Sequence, residues 1–500
     1  MDRRVCLPQL PQPGRPGARG PDPAQDQPKE KCGVVGIWGH PSAVHLTYLG
    51  LYAQQHRGQE SAGIAVSDGG QLHAHLGMGL VSDVFDRRSL LGLQEHGPIG
   101  AIGHNRYSTA GGSLDCNTQP LVETTLDGQI GLAHNGNLIN ADALRQLFAE
   151  RGHLFHTTSD TEVIIHLLAS PEQRDSSDPL AATLRRLMGA FSLALLYPDR
   201  IEACRDPWGW RPLVLGELEH DGKMYPVVAS ETVALDVMGA RIIREVEPGE
   251  SVTRSDKGVE SRRYAEPAER LAQCVFEHVY FASPASNVFG QNVQTARERM
   301  GEVLATEASV EADWVMPMPD SGRSAANGYS RSSGIPYREA IVPNRYVGRT
   351  FIKPTQDQRE AAVRLKLNVV HEIVDGKRLI VVDDSIVRGT TTRVKMQQLR
   401  DAGAKEIHLR ISSPPIQHPC YFGVDFATKD QLIAGNRTVE EIREFLGVDS
   451  LHFLSLEGLL SVMDRPGPDF CTACFSGDYR LDIDHPTTEQ VLFKEQTSMF

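Results

Sequence analysis

Residues 378–392 read RLIVVDDSIVRGTTT, and this stretch limits the folds open to the chain more than any other. Residues 379–382 are a short β-branched apolar run, the composition of a strand buried on both faces. Asp383 and Asp384 stand where that strand should end. Residues 385–392 then supply hydroxyls and one glycine. A polar–apolar segment follows, RVKMQQLRDAGA, which reads as a helix with Gly403 as its C-cap. Ile407, Leu409 and Ile411 alternate in a second strand. Strand, loop, helix, strand is a βαβ unit, and such units bind ligands outside the carboxyl ends of their strands.

The loop's chemistry follows from its residue types. Backbone N–H groups at a helix N-terminus, joined by Ser and Thr hydroxyls, cradle a monoester phosphate. Gly389 lets the backbone approach closely, and adjacent carboxylates suit ribose hydroxyls, directly or through Mg2+. The chain has no GxxxxGK[ST], so this is not an ordinary nucleotide P-loop. A bare pair of aspartates reads as an acidic strand end with a helix cap. The whole fifteen-residue string resembles the phosphoribosyl-pyrophosphate (PRPP) motif of the type I phosphoribosyltransferases. The resemblance implies that Asp383, Asp384, Ser385, Arg388, Gly389, Thr390 and Thr391 bind PRPP.

Composition narrows the class. Five hundred residues, 40% hydrophobic and 23% charged, describe a globular chain of two to four domains. A net charge of −13 argues against general nucleic-acid binding, which needs a basic face. No run approaches eighteen apolar residues, so no membrane span is expected. Eight cysteines are too sparse for a disulfide scaffold, and a cytoplasmic protein is expected. Residues 1–31 carry seven prolines and no apolar h-region, so they read as a disordered segment rather than a core or a secretory signal.

Cys32 heads a strand-like run over residues 33–38. Alone, it reads as a small buried hydrophobe. Four later pieces change that weighing: QHRGQESAG at 55–63, GHNRYST at 103–109, AHNGN at 133–137, and SDTE at 159–162, which enters an apolar helix over 163–168. Each also has a plain structural reading: Arg57 and Arg106 as ion pairs, Asp160 as a helix N-cap, Asn135-Gly136 as a hairpin turn. Together they resemble the glutamine amidotransferase domain of the N-terminal-nucleophile (Ntn) class. That resemblance implies that residues 1–31 are a propeptide, removed so that the α-amine of Cys32 becomes the base beside its own thiol. With a pKa near 8 (about 7.7–8.0), a freed α-amine suits that task. The thiolate attacks the glutamine carboxamide and releases ammonia. Asn135 and Gly136 match the oxyanion hole. Arg106 matches the residue gripping the glutamine α-carboxylate, Asp160 the partner of its α-amine, and Arg57 and Gly58 residues packed around the nucleophile. Asn105 stands where that family often has Thr, at a position with no assigned role. RDPWGWRP at 205–212 looks like the turn closing the domain, its tryptophans packing rather than reacting.

Cys471 and Cys474 are spaced Cys-x-x-Cys, which alone fits zinc, a redox pair or an iron–sulfur site. CVFEHVYFA at 274–282, SPPIQHPC at 413–420 and CTACFSG at 471–477 resemble the cluster-bearing branch of the glutamine PRPP amidotransferases. The resemblance implies one [4Fe–4S] cluster per subunit on Cys274, Cys420, Cys471 and Cys474, clipping the tail to the rest of the chain. Cys6, Cys116 and Cys204 match no site.

PMPDSGRSAA at 317–326 resembles the family segment whose serine, here Ser321, joins Asp383 and Asp384 around Mg2+. Residues 344–360 look like a lid that closes over PRPP and excludes water, with Arg349 and Lys353 meeting the pyrophosphate by charge. Residues 429–447 read as a helix pair.

The expected architecture is an α+β Ntn-type domain of αββα layers over 32–265, then an α/β type I phosphoribosyltransferase domain over 266–470, with a ligand-bearing tail over 471–500. The resemblance implies that glutamine, PRPP and water become 5-phosphoribosylamine, glutamate and pyrophosphate. It also implies feedback inhibition by purine nucleotides and a homo-oligomer, a tetramer or dimer. Two other readings compete. A sugar-phosphate aminating amidotransferase would share the front half but lack the PRPP string. A non-enzymatic PRPP sensor would leave Cys32 and its partners unexplained.

Overall fold

The computed structural model describes residues 32–107, 113–344, 367–424, 426 and 428–483. The expectations for residues 1–31, for Arg349 and Lys353, and for the end of the tail lie outside these residues.

The strand Gly33–Trp38 is buried along its whole length because both of its faces are covered. Val35 and Ile37 pack with Val44, Leu46 and Leu51 of the helix Ala43–Ala53. Val34 and Trp38 face the opposite way, onto Ala133, Ala194 and Leu196 of a second sheet. Each such fully buried aliphatic side chain contributes roughly 1.5–3 kcal/mol. Gly33–Trp38 is central in a seven-stranded sheet, between Lys223–Ala229 and Gly100–Arg106. The facing sheet has six strands, with Gly128–Leu138 paired antiparallel to Gly189–Tyr197. Helices Ala141–Glu150 and Glu162–Ala169 cover its outer face through Leu144, Phe148, Val163 and Leu167. Helix, sheet, sheet, helix is the αββα layering expected for the front half.

The second half is built on a parallel sheet in the order Trp314–Pro317, Arg378–Asp383, Glu406–Ile411, Ser450–Phe453. Alternate residues of Arg378–Asp383 explain its unbroken apolar run. Ile380 and Val382 meet Met300, Leu304 and Tyr329 on one side. Leu379 and Val381 meet Met396, Leu399 and Ile442 on the other. The helix after the strand spans Thr390–Asp401, two residues earlier than its apolar pattern suggests, and Gly403 follows it at φ +93°.

One sequence reading is corrected here and one alternative is set aside. Residues 429–447 hold short 3₁₀ turns, Lys429–Gln431 and Ile433–Gly435, and one α-helix, Val439–Leu446. Asn135-Gly136 is no hairpin turn: it lies inside Gly128–Leu138, paired to Ser192 and Phe191. The tail returns to the junction, where Phe470–Cys471 pairs in parallel with Gln273–Cys274.

Candidate active sites

Sheet register builds the first site. Gly33 pairs with Asn105, so Cys32 emerges beside Arg106 and Tyr107, and its Sγ lies 3.6 Å from the Tyr107 carbonyl oxygen. Asn105 has a structural task that its sequence reading missed. Its Nδ2 donates to the carbonyls of Leu51 and Gln54 at 3.3 and 2.7 Å. Its Oδ1 would stand 2.3 Å from a Cβ on residue 33, which excludes a side chain beside the cysteine. Gly58 is equally confined, because a Cβ there would fall 2.5 Å from the Asn105 carbonyl carbon.

Burial pushes the Cys32 thiol above its ordinary pKa, against the opposing pull of a backbone hydrogen bond at Tyr107 and the Arg106 guanidinium. The Asp160 carboxylate adds to the rise. A thiol held protonated at neutral pH needs a base before it can attack. Arg57, Arg106 and Asp160 all act on the Cys32 sulfur electrostatically, so four residues singled out in separate motifs converge.

Strand Gly128–Leu138 brings in the oxyanion candidates. The His134 carbonyl lies 3.0 Å from His104 Nε2, which ties this strand to the one carrying Arg106. Asn135 is buried and its Nδ2 has no hydrogen-bond partner among the described residues. A buried unpaired donor costs about 1–3 kcal/mol, so its retention in a reactive cleft suits a ligand oxygen. Gly136 has φ +154°, and a Cβ there would meet the Ala190 carbonyl oxygen at 2.0 Å. Asp160 does not cap its helix: its Oδ2 accepts from the Leu138 N–H at 2.9 Å, which binds it to the strand Gly128–Leu138. A cavity of about 400 Å³ opens alongside, lined by Asp160, Thr158, Arg145 and Tyr421 among others. Arg57 does form ion pairs, as its plain reading held, but with Glu231 and Glu277, which no local motif singles out.

The second site sits at the end of Arg378–Asp383. Asp383 and Asp384 are buried, and Ser385 Oγ donates to Asp384. Burial and the Asp384 charge drive the Asp383 carboxyl well above the usual range, with Lys395 opposing. A buried carboxylate pair with so little counter-charge suits a divalent cation. Ser321 is carried beside it: Met318 N donates to Val382 O at 2.7 Å, and Gly322 fits only because it has no Cβ to strike that same oxygen. Gly389, at φ +76°, precedes the helix holding Thr390 and Thr391, and Arg388 donates to Gln431 at 2.7 Å. Lys395 and Arg297, the latter buried and influenced by the Asp384 charge, were not marked by any motif. Tyr280 is half-buried and within electrostatic reach of both sites: after burial itself, the charges of Asp384, Asp383 and Tyr107 raise its pKa.

The four tail and junction cysteines come together. Cys274 and Cys471 are register partners, and Cys420 packs with both hydrophobic clusters that hold Cys274, Cys471 and Cys474. Burial pushes Cys274 up to about 11, and burial, with the other thiols adding to it, raises Cys471 and Cys474 well above the ordinary thiol range. Phe422 N donates to Cys420 Sγ at 3.4 Å, the type of contact a thiolate ligand accepts. Among the described residues, no group of three or more His, Cys, Asp or Glu side chains closes around one metal-ion position. Thiolates on a multi-iron cluster stand further apart than those on a single ion.

A glutamine amidotransferase domain family matches residues 104–237. The chain is 48% identical over 462 residues to an amidophosphoribosyltransferase of Synechococcus elongatus, covering 92% of this chain and 93% of that protein. It is 48% identical to the amidophosphoribosyltransferase of Bacillus subtilis, covering 91% and 95%, and 45% identical to that of Methanocaldococcus jannaschii, covering 93% and 100%. A solved structure described as the allosteric regulatory enzyme of purine biosynthesis matches with TM-score 0.84 and 46% identity, over 91% of this chain and 97% of that one. The glutamine PRPP amidotransferase of Bacillus subtilis complexed with ADP and GMP matches with TM-score 0.83 and 46% identity, over 91% and 99%.

Proposed function

This chain belongs to the amidophosphoribosyltransferase family, and from that premise we propose that Cys32 and the Asp383–Asp384 pair are the centres of its two half-reactions. The protein is a glutamine-dependent phosphoribosyltransferase: it converts glutamine, PRPP and water to 5-phosphoribosylamine, glutamate and pyrophosphate, the first committed step of purine synthesis. Full-length similarity sets aside a sugar-phosphate aminating enzyme and a PRPP sensor.

The observation that carries the glutaminase half is the unpartnered, buried Nδ2 of Asn135. With the Gly136 N–H it faces the oxygen that becomes negative when the Cys32 thiol attacks the carboxamide carbon. The α-amine of Cys32, freed by loss of residues 1–31, takes the thiol proton, which the raised thiol pKa makes necessary. Arg106 holds the glutamine α-carboxylate and Asp160 its α-amine, while Arg57 and Gly58 fix the cysteine backbone. Ammonia leaves, and water releases glutamate from the thioester. An intact-mass measurement of the active protein is expected to find a chain beginning at Cys32; full activity in an uncut chain beginning at Met1 would contradict the base.

At the second site, Ser385, Arg388, Gly389, Thr390 and Thr391 bind the PRPP phosphate, and Arg349 and Lys353 meet the pyrophosphate. Mg2+ would be held by Ser321, Asp383 and Asp384, where it supplies positive charge against the departing pyrophosphate. Ammonia passes inward, past the Tyr280 region, and attacks C1 of the sugar with its lone pair unprotonated.

A [4Fe–4S] cluster would be held by Cys274, Cys420, Cys471 and Cys474, where it acts as a structural clip between junction and tail. Anaerobically purified protein is expected to be brown, with about four irons per chain. Colourless protein carrying zinc would contradict it. We further assign this chain a cytoplasmic location, inhibition by purine nucleotides and a homo-oligomeric state, tetramer or dimer, which light scattering reads directly. No helix among the described residues is long and apolar enough to cross a membrane.

A further inference from the structure

Glu277 lies three residues beyond Cys274, in the one-turn π-helix Glu277–Phe281, and is fully buried. Its carboxylate is shared by two arginines from different parts of the front domain. Arg57 donates to both of its oxygens at 2.9 Å, and Arg211 donates to Oε1 at 3.2 Å. Each arginine spends its remaining donors on something close to the glutaminase chemistry. Arg57 Nε donates to the Cys32 carbonyl at 2.9 Å. Arg211 donates to the Phe422 carbonyl at 3.0 Å and to the Gly423 carbonyl.

That second anchor bears on the oxyanion strand. Gly423 sits so close to Gly136 that a Cβ on residue 423 would lie 3.2 Å from the Gly136 carbonyl carbon. Asn137 Nδ2 donates to the Tyr421 carbonyl at 2.9 Å, and Trp210 stacks on Phe422 with ring centroids 3.8 Å apart. Glu231 completes the set. It accepts from Arg57, from Ser283 N at 2.9 Å and from Ser286 Oγ at 2.7 Å. Two guanidiniums and two carboxylates thus form a buried network, with His56 Nε2 2.8 Å from Glu231 Oε1 at its edge. Such networks return little stability after desolvation, and their best-attested use is to fix register.

We propose that Glu277 is a positioning residue of the glutaminase half-reaction, holding the Cys32 backbone through Arg57 and the Gly136 strand through Arg211 in one fixed relation. The nucleophile and the candidate oxyanion donors stand on different sheets, joined by face-to-face packing and by the His104–His134 contact. A single carboxylate that clamps both arginines adds a tie that runs to the Cys32 backbone itself. The inference rests on the roles proposed for Cys32 and Gly136.

The test is Glu277→Gln in the full-length holoenzyme, which keeps the shape and removes the charge shared by the arginines. The glutamine-supported kcat is expected to fall about ten- to a hundredfold, as for a misplacement on the order of 1 Å. The glutamine KM is expected to stay within about threefold and the ammonia-supported rate within about twofold. A merely structural residue would lower both rates in parallel, and that result, or an unchanged glutamine-supported kcat, overturns the proposal. Should Glu277→Gln fail to fold, Arg211→Lys, which keeps charge but loses the planar fork, is read in the same way. The proposal and its premise fail separately: a glutamine-competent Cys32→Ala enzyme removes the premise, whereas a parallel loss in Glu277→Gln removes only the clamp.

Discussion

Cys32→Ala is expected to lower glutamine-supported phosphoribosylamine formation by a factor of about 10³ or more, while ammonia-supported formation stays within about twofold. The asymmetry follows from the layout. Cys32 lies at the head of a strand in the front domain, within reach of Arg106, Tyr107 and Asp160. The loop proposed to bind PRPP stands on a separate parallel sheet with its own hydrophobic layers. Alanine removes only the sulfur, at a position where small side chains already fit, so the second sheet is undisturbed. Supplying ammonia directly bypasses the missing nucleophile. Loss of both activities would mean that Cys32 supports the fold rather than the chemistry; retention of both would remove it from the mechanism.

Asp384→Asn is expected to give the reverse pattern. Transfer falls by about 10³ or more with either nitrogen donor, because the charge proposed to complement cation and ribose is lost. Glutaminase turnover persists in part, since no front-domain residue changes. Asp384 is buried at the strand end, accepts from Ser385 and raises the Asp383 carboxyl by its charge. Side-by-side assays of glutamate release and pyrophosphate release separate the outcomes. Equal retention of both would exclude Asp384 from the transfer site.

What was legible in the sequence is what neighbouring residues determine. Residues 379–382 gave a doubly buried strand because four consecutive apolar residues need two covering layers, and both layers are present. The helix entered by residues 159–162 was legible as an apolar run after a polar loop, and it spans Glu162–Ala169. The turn alternative for Asn135-Gly136 fails because the dipeptide's preference for positive φ is met inside a strand, where Gly136 alone can approach Ala190. Residues 429–447 misled because apolar spacing there serves packing of short turns: Ile433 reaches over Gly389, and only Val439–Leu446 continues as a helix.

Long-range ionic partners were not legible at all. Arg57 meets Glu277 across 220 positions and Glu231 across 174, and no local pattern encodes such pairing. Lys395 stands within reach of the Asp383 charge, and Arg297 within reach of the Asp384 charge, for the same reason. Each is one polar residue on an otherwise ordinary helix until the tertiary fold turns it inward.

Glutamine labelled with ¹⁵N in its amide, given together with PRPP and a large excess of unlabelled ammonium at neutral pH, tests whether nitrogen freed at Cys32 travels inside the protein. The account predicts that trapped phosphoribosylamine carries ¹⁵N far above the fraction set by mixing with bulk ammonium. Label at the bulk fraction would mean that the nitrogen leaves the protein before it reaches the sugar, which contradicts a direct path between the two sites.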